Sequence, residues 1–177
     1  MTQGSEQLKV PQIFIATLRK GIAKIVIKHA DGILLNFCPP EYAQDLIKSL
    51  RRVAKELPIV SCYLKVFYSR DEETAKRMLV QEISSYNLNP NYHKMFESAG
   101  VADAIAEANS AMVPNKEITL GEKLLKISLA NPSKKELASY VSKFSDAGVD
   151  LPCLYPYFES SEDEAFKVAK VEEIVQL

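Results

Sequence analysis

The chain has 177 residues, of which 47% are apolar and 25% charged, and its net charge is −1, the make-up of one ordinary globular domain. The near-zero charge gives no electrostatic case for nucleic acid or an anionic membrane as partner, and no apolar run approaches the ~18 residues that span a bilayer. Residues 1–10 hold no hydrophobic signal region, and the widely spaced Cys38, Cys62 and Cys153 suit reduced thiols better than a disulfide framework, so the expected location is the cytoplasm.

Residues 1–9 read as a tail, and 10–177 as the folded domain. Pro11 leads a short apolar run over 12–16, where a proline is tolerated at the start of a strand. A helix is predicted over 19–29, with Ile22, Ile25 and Val26 at helical spacing. Residues 32–36 form a second apolar run that does not alternate, as in a parallel strand buried on both faces. Pro39 and Pro40 open the next helix, whose apolar stripe is Leu46, Ile47, Leu50 and Val53. The third strand, 59–68, is β-branched and aromatic. Ser69 and Glu72 have capping-box spacing and predict a helix from about Arg70 or Asp71 towards Tyr86.

After a break at Pro90 and its flanking asparagines, an irregular helical pattern runs to Asn131, interrupted at Gly100 and Pro114 and including a helical stretch over 121–129. Residues 88–131 therefore read as a helical excursion inserted before the last strand. Ser133 with Glu136 marks another helix start, with Leu137, Tyr140, Val141 and Phe144 as its buried face and Gly148 at a left-handed cap. The fourth strand is 150–155, where Pro152 argues for an edge. Ser161 and Glu164 have capping spacing, and 165–177 make the last helix, with the acidic residues 159–164 as its first turn. Strands alternating with helices imply a parallel sheet with right-handed crossovers. That pattern fits half of a barrel or an open doubly wound sheet.

Residues 15–36, with Ala30-Asp31-Gly32 leading into a strand, resemble a recurring segment of the bacterial luciferase-like superfamily. The helix start Arg70-Asp71-Glu72-Glu73 and the stretch from Asp146 to Pro156 match in the same order. The flavour is that of the deazaflavin-dependent (coenzyme F-420) branch, which includes methylene-tetrahydromethanopterin reductases. The resemblance implies an α/β fold that is a partial TIM (β/α)8 barrel, equivalent to strands five to eight, with a helical insertion before the last strand. It implies a cofactor, F-420 or FMN, held at a turn corresponding to Thr17, Leu18 and Arg19, and a pocket-facing polar residue at Asn36. Glycines usual at that turn are replaced by Leu18 and Arg19, and Pro39 stands where some members carry a basic phosphate-binding residue.

Active residues of a barrel sit at the C-terminal ends of its strands. Here those ends hold Thr17, Leu18 and Arg19, then Asn36, Phe37 and Cys38, then Ser69 and Arg70, then Tyr155 and Tyr157. Arg19 could contact a phosphate or fill its place, and the bland alternative is a solvated helix start. Asn36 could equally bond a loop, while Phe37 and Cys38 could be core. His29 and His93 have no partner at metal-ligand spacing, so no metal is expected, and no residue is assigned a catalytic role. Two main functions compete. One is an oxidoreductase subunit or fragment that transfers a hydride with a deazaflavin or flavin, its barrel completed by a separate chain carrying the missing N-terminal half or by a homo-oligomer. The other is a non-catalytic half-barrel that self-associates without a cofactor. An unrelated open α/β binding module is a third.

Overall fold

The computed structural model describes residues 11–114 and 116–177; the expected tail lies outside them. Strands β1 (Phe14–Ala16), β2 (Gly32–Asn36), β3 (Ile59–Tyr68), β4 (Leu129–Ala130) and β5 (Leu151–Phe158) form one parallel sheet. Its path is β1-β2-β3-β5. Val66 and Phe67 pair with β4 and with β5, so these two lie on opposite edges of β3. β4 thus takes the edge that β2 leaves at Tyr63.

Helices α1 (Lys20–Val26), α2 (Pro40–Arg51), α7 (Lys134–Asp146) and α8 (Glu164–Val175) follow β1, β2, the excursion and β5. α1 packs on α2 and α2 on α7, while Phe166 and Ile174 of α8 pack with Val66 and Tyr68. This is the outer layer of a half-barrel. The alternate residues Val60, Cys62, Leu64, Val66 and Tyr68 are buried on that face. α2 buries Ala43, Leu46, Ile47 and Leu50 there, and each of the larger side chains contributes roughly 1.5–3 kcal/mol. Val53 of the expected stripe lies past the end of α2 and is exposed. α1 buries Ala23 and Val26 but leaves Ile22 and Ile25 in solvent, because it shields only the narrow end of the sheet.

Two aspartates bind β1 and β3 at their N-terminal ends. Asp31 accepts the Ile13 N–H (2.8 Å) and Asp150 accepts the Val60 N–H (2.8 Å). Gly32 after Asp31 is required by a close approach: the Phe14 ring lies where a Cβ would stand. Gly148 has φ +93°, the left-handed conformation that ends α7.

α3 (Glu72–Asn87) follows β3, and the excursion holds α4 (Pro90–Ser98), α5 (Ala102–Ser110) and α6 (Glu122–Leu125). It is not helical to its end, because Leu129 and Ala130 join the sheet as β4. A two-residue strand has no periodicity of its own to read. Three helix starts were anticipated from serines, and one keeps its serine: Ser133 and Glu136 form a capping box. α3 is capped by Asp71, which accepts the Thr74 N–H, and α8 by Asp163, which accepts the Phe166 N–H. A carboxylate next to the first turn outcompetes a hydroxyl two residues earlier. Ser69 instead bonds Glu159 and Glu162, so those two acids belong to a rim network and not to the first turn of α8.

Candidate functional site

At the C-terminal ends of β1 and β2 lies an open cavity of about 330 Å³. Thr17, Leu18, Arg19 and Asn36 all line it. Asn89, Asn91 and Tyr92, from the start of α4, close its other side. The Thr17 N–H donates to Leu34 O (3.1 Å), which carries the chain out of β1, and Thr17 Oγ1 then accepts the Arg19 N–H (3.1 Å). Leu18 is buried in the core and its carbonyl accepts the Tyr42 hydroxyl (2.5 Å). Arg19 is exposed and precedes α1 with no side-chain cap. α1 is seven residues long, so its dipole is short, and any anion here would depend on Arg19 and Thr17.

Asn36 ends β2. Its Nδ2 donates to the Tyr92 hydroxyl (2.8 Å) and, at 3.5 Å, to that of Tyr86. Its Oδ1 is buried and has no partner among the described residues. Leaving such an acceptor unmade costs ~1–3 kcal/mol, which a ligand donor or a water recovers. Burial pushes the Tyr92 phenol up, so it remains a neutral partner for the amide. Phe37, next in sequence, adopts φ +55°, uncommon for a bulky residue. Its ring is fully buried, 5.1 Å from that of Tyr86, which makes it core.

The other strand ends are occupied by internal partners. Lys65, 4% exposed, places Nζ 2.6 Å from Glu82 and 3.0 Å from the Tyr86 hydroxyl. The ammonium also sits 4.2–4.9 Å from the ring centroids of Phe37, Tyr86 and Tyr157. Burial works against its charge, but hydrogen bonds to Glu82, Tyr86 and Tyr157 outweigh it and hold the lysine above its ordinary value, so it is a fixed cation and not a base. Ser69 and Arg70 bind the buried Glu162: its carboxylate accepts from the Arg70 N–H (2.7 Å) and guanidinium (2.6 Å). Tyr157 stacks on Phe67, and Tyr155 is exposed on the open face beside Tyr63. Cys38 is buried, 4.0 Å from Cys62. Among the described residues no three His, Cys, Asp or Glu side chains converge as a metal site. His93 contacts Asn87 and Glu97 instead.

Sequence reasoning missed Asn89, Asn91, Tyr92 and Lys65. The asparagines were read as a break alone. The return of α4 to β2 brings them to Asn36 across more than fifty residues of chain.

A parallel half-barrel with a cavity of mixed apolar and polar lining at the strand ends defines the architectural class. Residues 2–138 match the family described as luciferase-like monooxygenase, and the chain belongs to that family. No curated protein matches it in sequence. Among solved structures it is similar to an F420-dependent secondary alcohol dehydrogenase in complex with an F420–acetone adduct, at 13% identity and TM-score 0.64 over 94% of this chain and 48% of that one. It is also similar to a coenzyme F420-dependent tetrahydromethanopterin reductase from Methanopyrus kandleri, at 12% identity and TM-score 0.58 over 92% and 49%. The chain thus spans about half the length of the structures it matches, and their likeness establishes a partial barrel. Among the described residues no helix is long and apolar enough to cross a membrane.

Proposed function

We propose that the chain is an oxidoreductase subunit or fragment of this family that works with a deazaflavin (coenzyme F-420) or FMN and needs a second half-barrel to complete its site. The observation that supports this most is Asn36 Oδ1, buried and without a partner among the described residues, at a cavity of mixed apolar and polar lining on the strand ends where barrel enzymes bind their ligands. Asn36 would accept a hydrogen bond from the cofactor. Thr17 and Arg19 would hold its polar tail, Arg19 by a charge-assisted contact, and Leu18 would back the turn from the core. The cofactor supplies the hydride chemistry, and these residues bind and orient it. A half-barrel by itself leaves the ring side open to water, which is why a second half belongs to the reading. The free cysteines fit a reducing compartment, the cytoplasm.

Fluorescence titration with F-420 and with FMN tests this. One of the two binds, and Asn36→Ala and Arg19→Ala each weaken binding about tenfold, or ~1.4 kcal/mol. An assembled protein that ignores both cofactors overturns the reading. The alternative, a non-catalytic half-barrel that self-associates without cofactor, is favoured by one observation: Leu18 and Arg19 occupy the turn where the family resemblance calls for glycines.

A further inference from the structure

We infer that Tyr92 is a hydrogen-bond donor to the ligand of the Asn36 cavity, and that Lys65 and Tyr86 are positioning residues that aim it. This rests on the reading above that the cavity takes a deazaflavin or FMN, and it names a further group that reads that ligand. An amide nitrogen only donates, so the 2.8 Å contact from Asn36 Nδ2 fills a lone pair of the Tyr92 oxygen. Turning the amide over would leave two donors unmet where one acceptor is unmet now, which is the costlier arrangement. The Tyr92 proton therefore points elsewhere, and among the described residues no acceptor takes it. Tyr92 lines the cavity, and burial pushes its phenol up, so the proton stays on. What it can meet in the cavity is a ligand oxygen with a free lone pair. Both candidate cofactors carry such oxygens, on ring carbonyls and on phosphate.

Tyr92 is held from three sides. Asn36 holds its hydroxyl, and Phe96, one helical turn on and fully buried, lies 6.1 Å from its ring. Its third neighbour is Tyr86, which it meets edge to face with ring centroids 4.6 Å apart. Tyr86 is fixed in turn by Lys65, whose Nζ donates to its hydroxyl (3.0 Å) and lies 4.2 Å from its ring centroid. Glu82, one turn before Tyr86 on α3, accepts from the same ammonium at 2.6 Å. Phe37 packs on Tyr86 at 5.1 Å.

This array accounts for a lysine in the middle of a strand. Tyr63 is level with Asn36 in the sheet, and Lys65 is the next residue of β3 on the same face. An apolar side chain would fill that face at no cost in desolvation, whereas a buried ammonium has to be compensated by partners. What the ammonium adds is direction. Glu82 and the rings of Phe37 and Tyr157 fix its place, and its bond to Tyr86 sets the one hydroxyl that stands between the cage and the cavity. Edge-to-face packing passes that position to Tyr92 across the turn that joins α3 to α4. The lysine thus acts on the ligand through two rings without touching it.

The positioning is tested without any cofactor. In nuclear magnetic resonance spectra of the isotope-labelled chain, the Asn36 side-chain amide pair is identified by its loss in Asn36→Ala. Lys65→Met combined with Glu82→Met removes the buried ion pair without leaving a lone charge. This double variant should shift the Asn36 pair, and so should Tyr86→Phe, which keeps the packed ring and drops the hydroxyl on Lys65. Lys126→Ala, which breaks an exposed pair with Glu41, should leave the signal where it is. An Asn36 pair that stays in place in folded Tyr86→Phe and in the double variant overturns the positioning. If the double variant does not fold, Tyr86→Phe decides.

The donor is tested by fluorescence titration with F-420 and FMN. Tyr92→Phe should weaken the cofactor that binds about tenfold. Tyr86→Phe should weaken it about threefold in the wild-type background and not at all once Tyr92 is Phe, because it acts through that hydroxyl. Tyr92→Phe with wild-type affinity overturns the donor, and equal losses from Tyr86→Phe in both backgrounds overturn its action through Tyr92. Riboflavin, or the matching deazariboflavin, keeps the ring carbonyls and lacks the phosphate. A loss that persists with it places the contact on the ring, and a loss seen only with the phosphorylated cofactor places it on the phosphate. A wild type that binds neither cofactor sinks the reading above and the donor with it, while the resonance measurement still decides the positioning by itself.

Discussion

The rim over β3 and β5 and the rim over β1 and β2 are built on opposite plans. Over β3 and β5 the buried charges find internal partners: Lys65 has Glu82 and Tyr86, and Glu162 has Ser69 and Arg70. Over β1 and β2 the sheet is short, Arg19 faces solvent and Asn36 Oδ1 has no partner among the described residues. One side of the rim holds α3 and the start of α8 to the sheet, and under the proposed function the other is left for a ligand. A barrel scaffold that needs both stability and binding can divide the work in this way.

The largest break in that contrast comes from Lys65→Ala. It removes the ammonium among three aromatic rings and leaves the Glu82 carboxylate unpaired, so urea unfolding should show a loss of about 3 kcal/mol. Lys65→Met should recover part of this, since its stem still packs against Phe37 and Tyr157. If Lys65→Ala cost nothing, the α3 rim would not be held as described. Glu162→Gln comes next. It keeps the shape but loses the charged acceptor of Arg70 and Ser69, and about 1.5–3 kcal/mol should go with it. By contrast, Arg19→Ala should leave unfolding nearly unchanged while weakening cofactor binding, which sharpens the division between the two rims.

A smaller effect appears at high pH. Burial, with Glu173 nearby, pushes the Tyr68 phenol up to about 12. The native state therefore keeps a proton that the unfolded chain releases near pH ~10, so this stability is whole below pH ~10 and declines as the pH rises towards 12. Tyr68→Phe should flatten the alkaline limb of a stability–pH curve, and an unaltered limb would assign it to other groups. The smallest effect is local to α7, where Ser133→Ala removes half of the capping box at a cost of about 1 kcal/mol.

Much of the sheet was legible because a buried parallel strand writes its own composition. Runs 32–36 and 59–68 coincide with β2 and β3, and Pro152 in the last strand marked an edge, which β5 is. The Ala30-Asp31-Gly32 segment carried meaning for a reason now visible: the aspartate binds the preceding strand and the glycine admits Phe14. Caps were less legible. Serine and aspartate compete for the same N–H groups, and only the turn geometry selects Asp71 over Ser69.

What the sequence determined by itself is the alternation of strand and helix, the positions of the chain reversals and the ends of the first three strands, since these follow from periodicity and local backbone preference; the last strand runs on to Phe158, past the expected end at Tyr155. Only the tertiary structure decided that β4 joins β3, that α4 returns to Asn36, that Lys65 is caged and that Ile25 and Val171 are left uncovered. Those outcomes depend on which distant segments compete for the same surface, and no local pattern records the result of that competition.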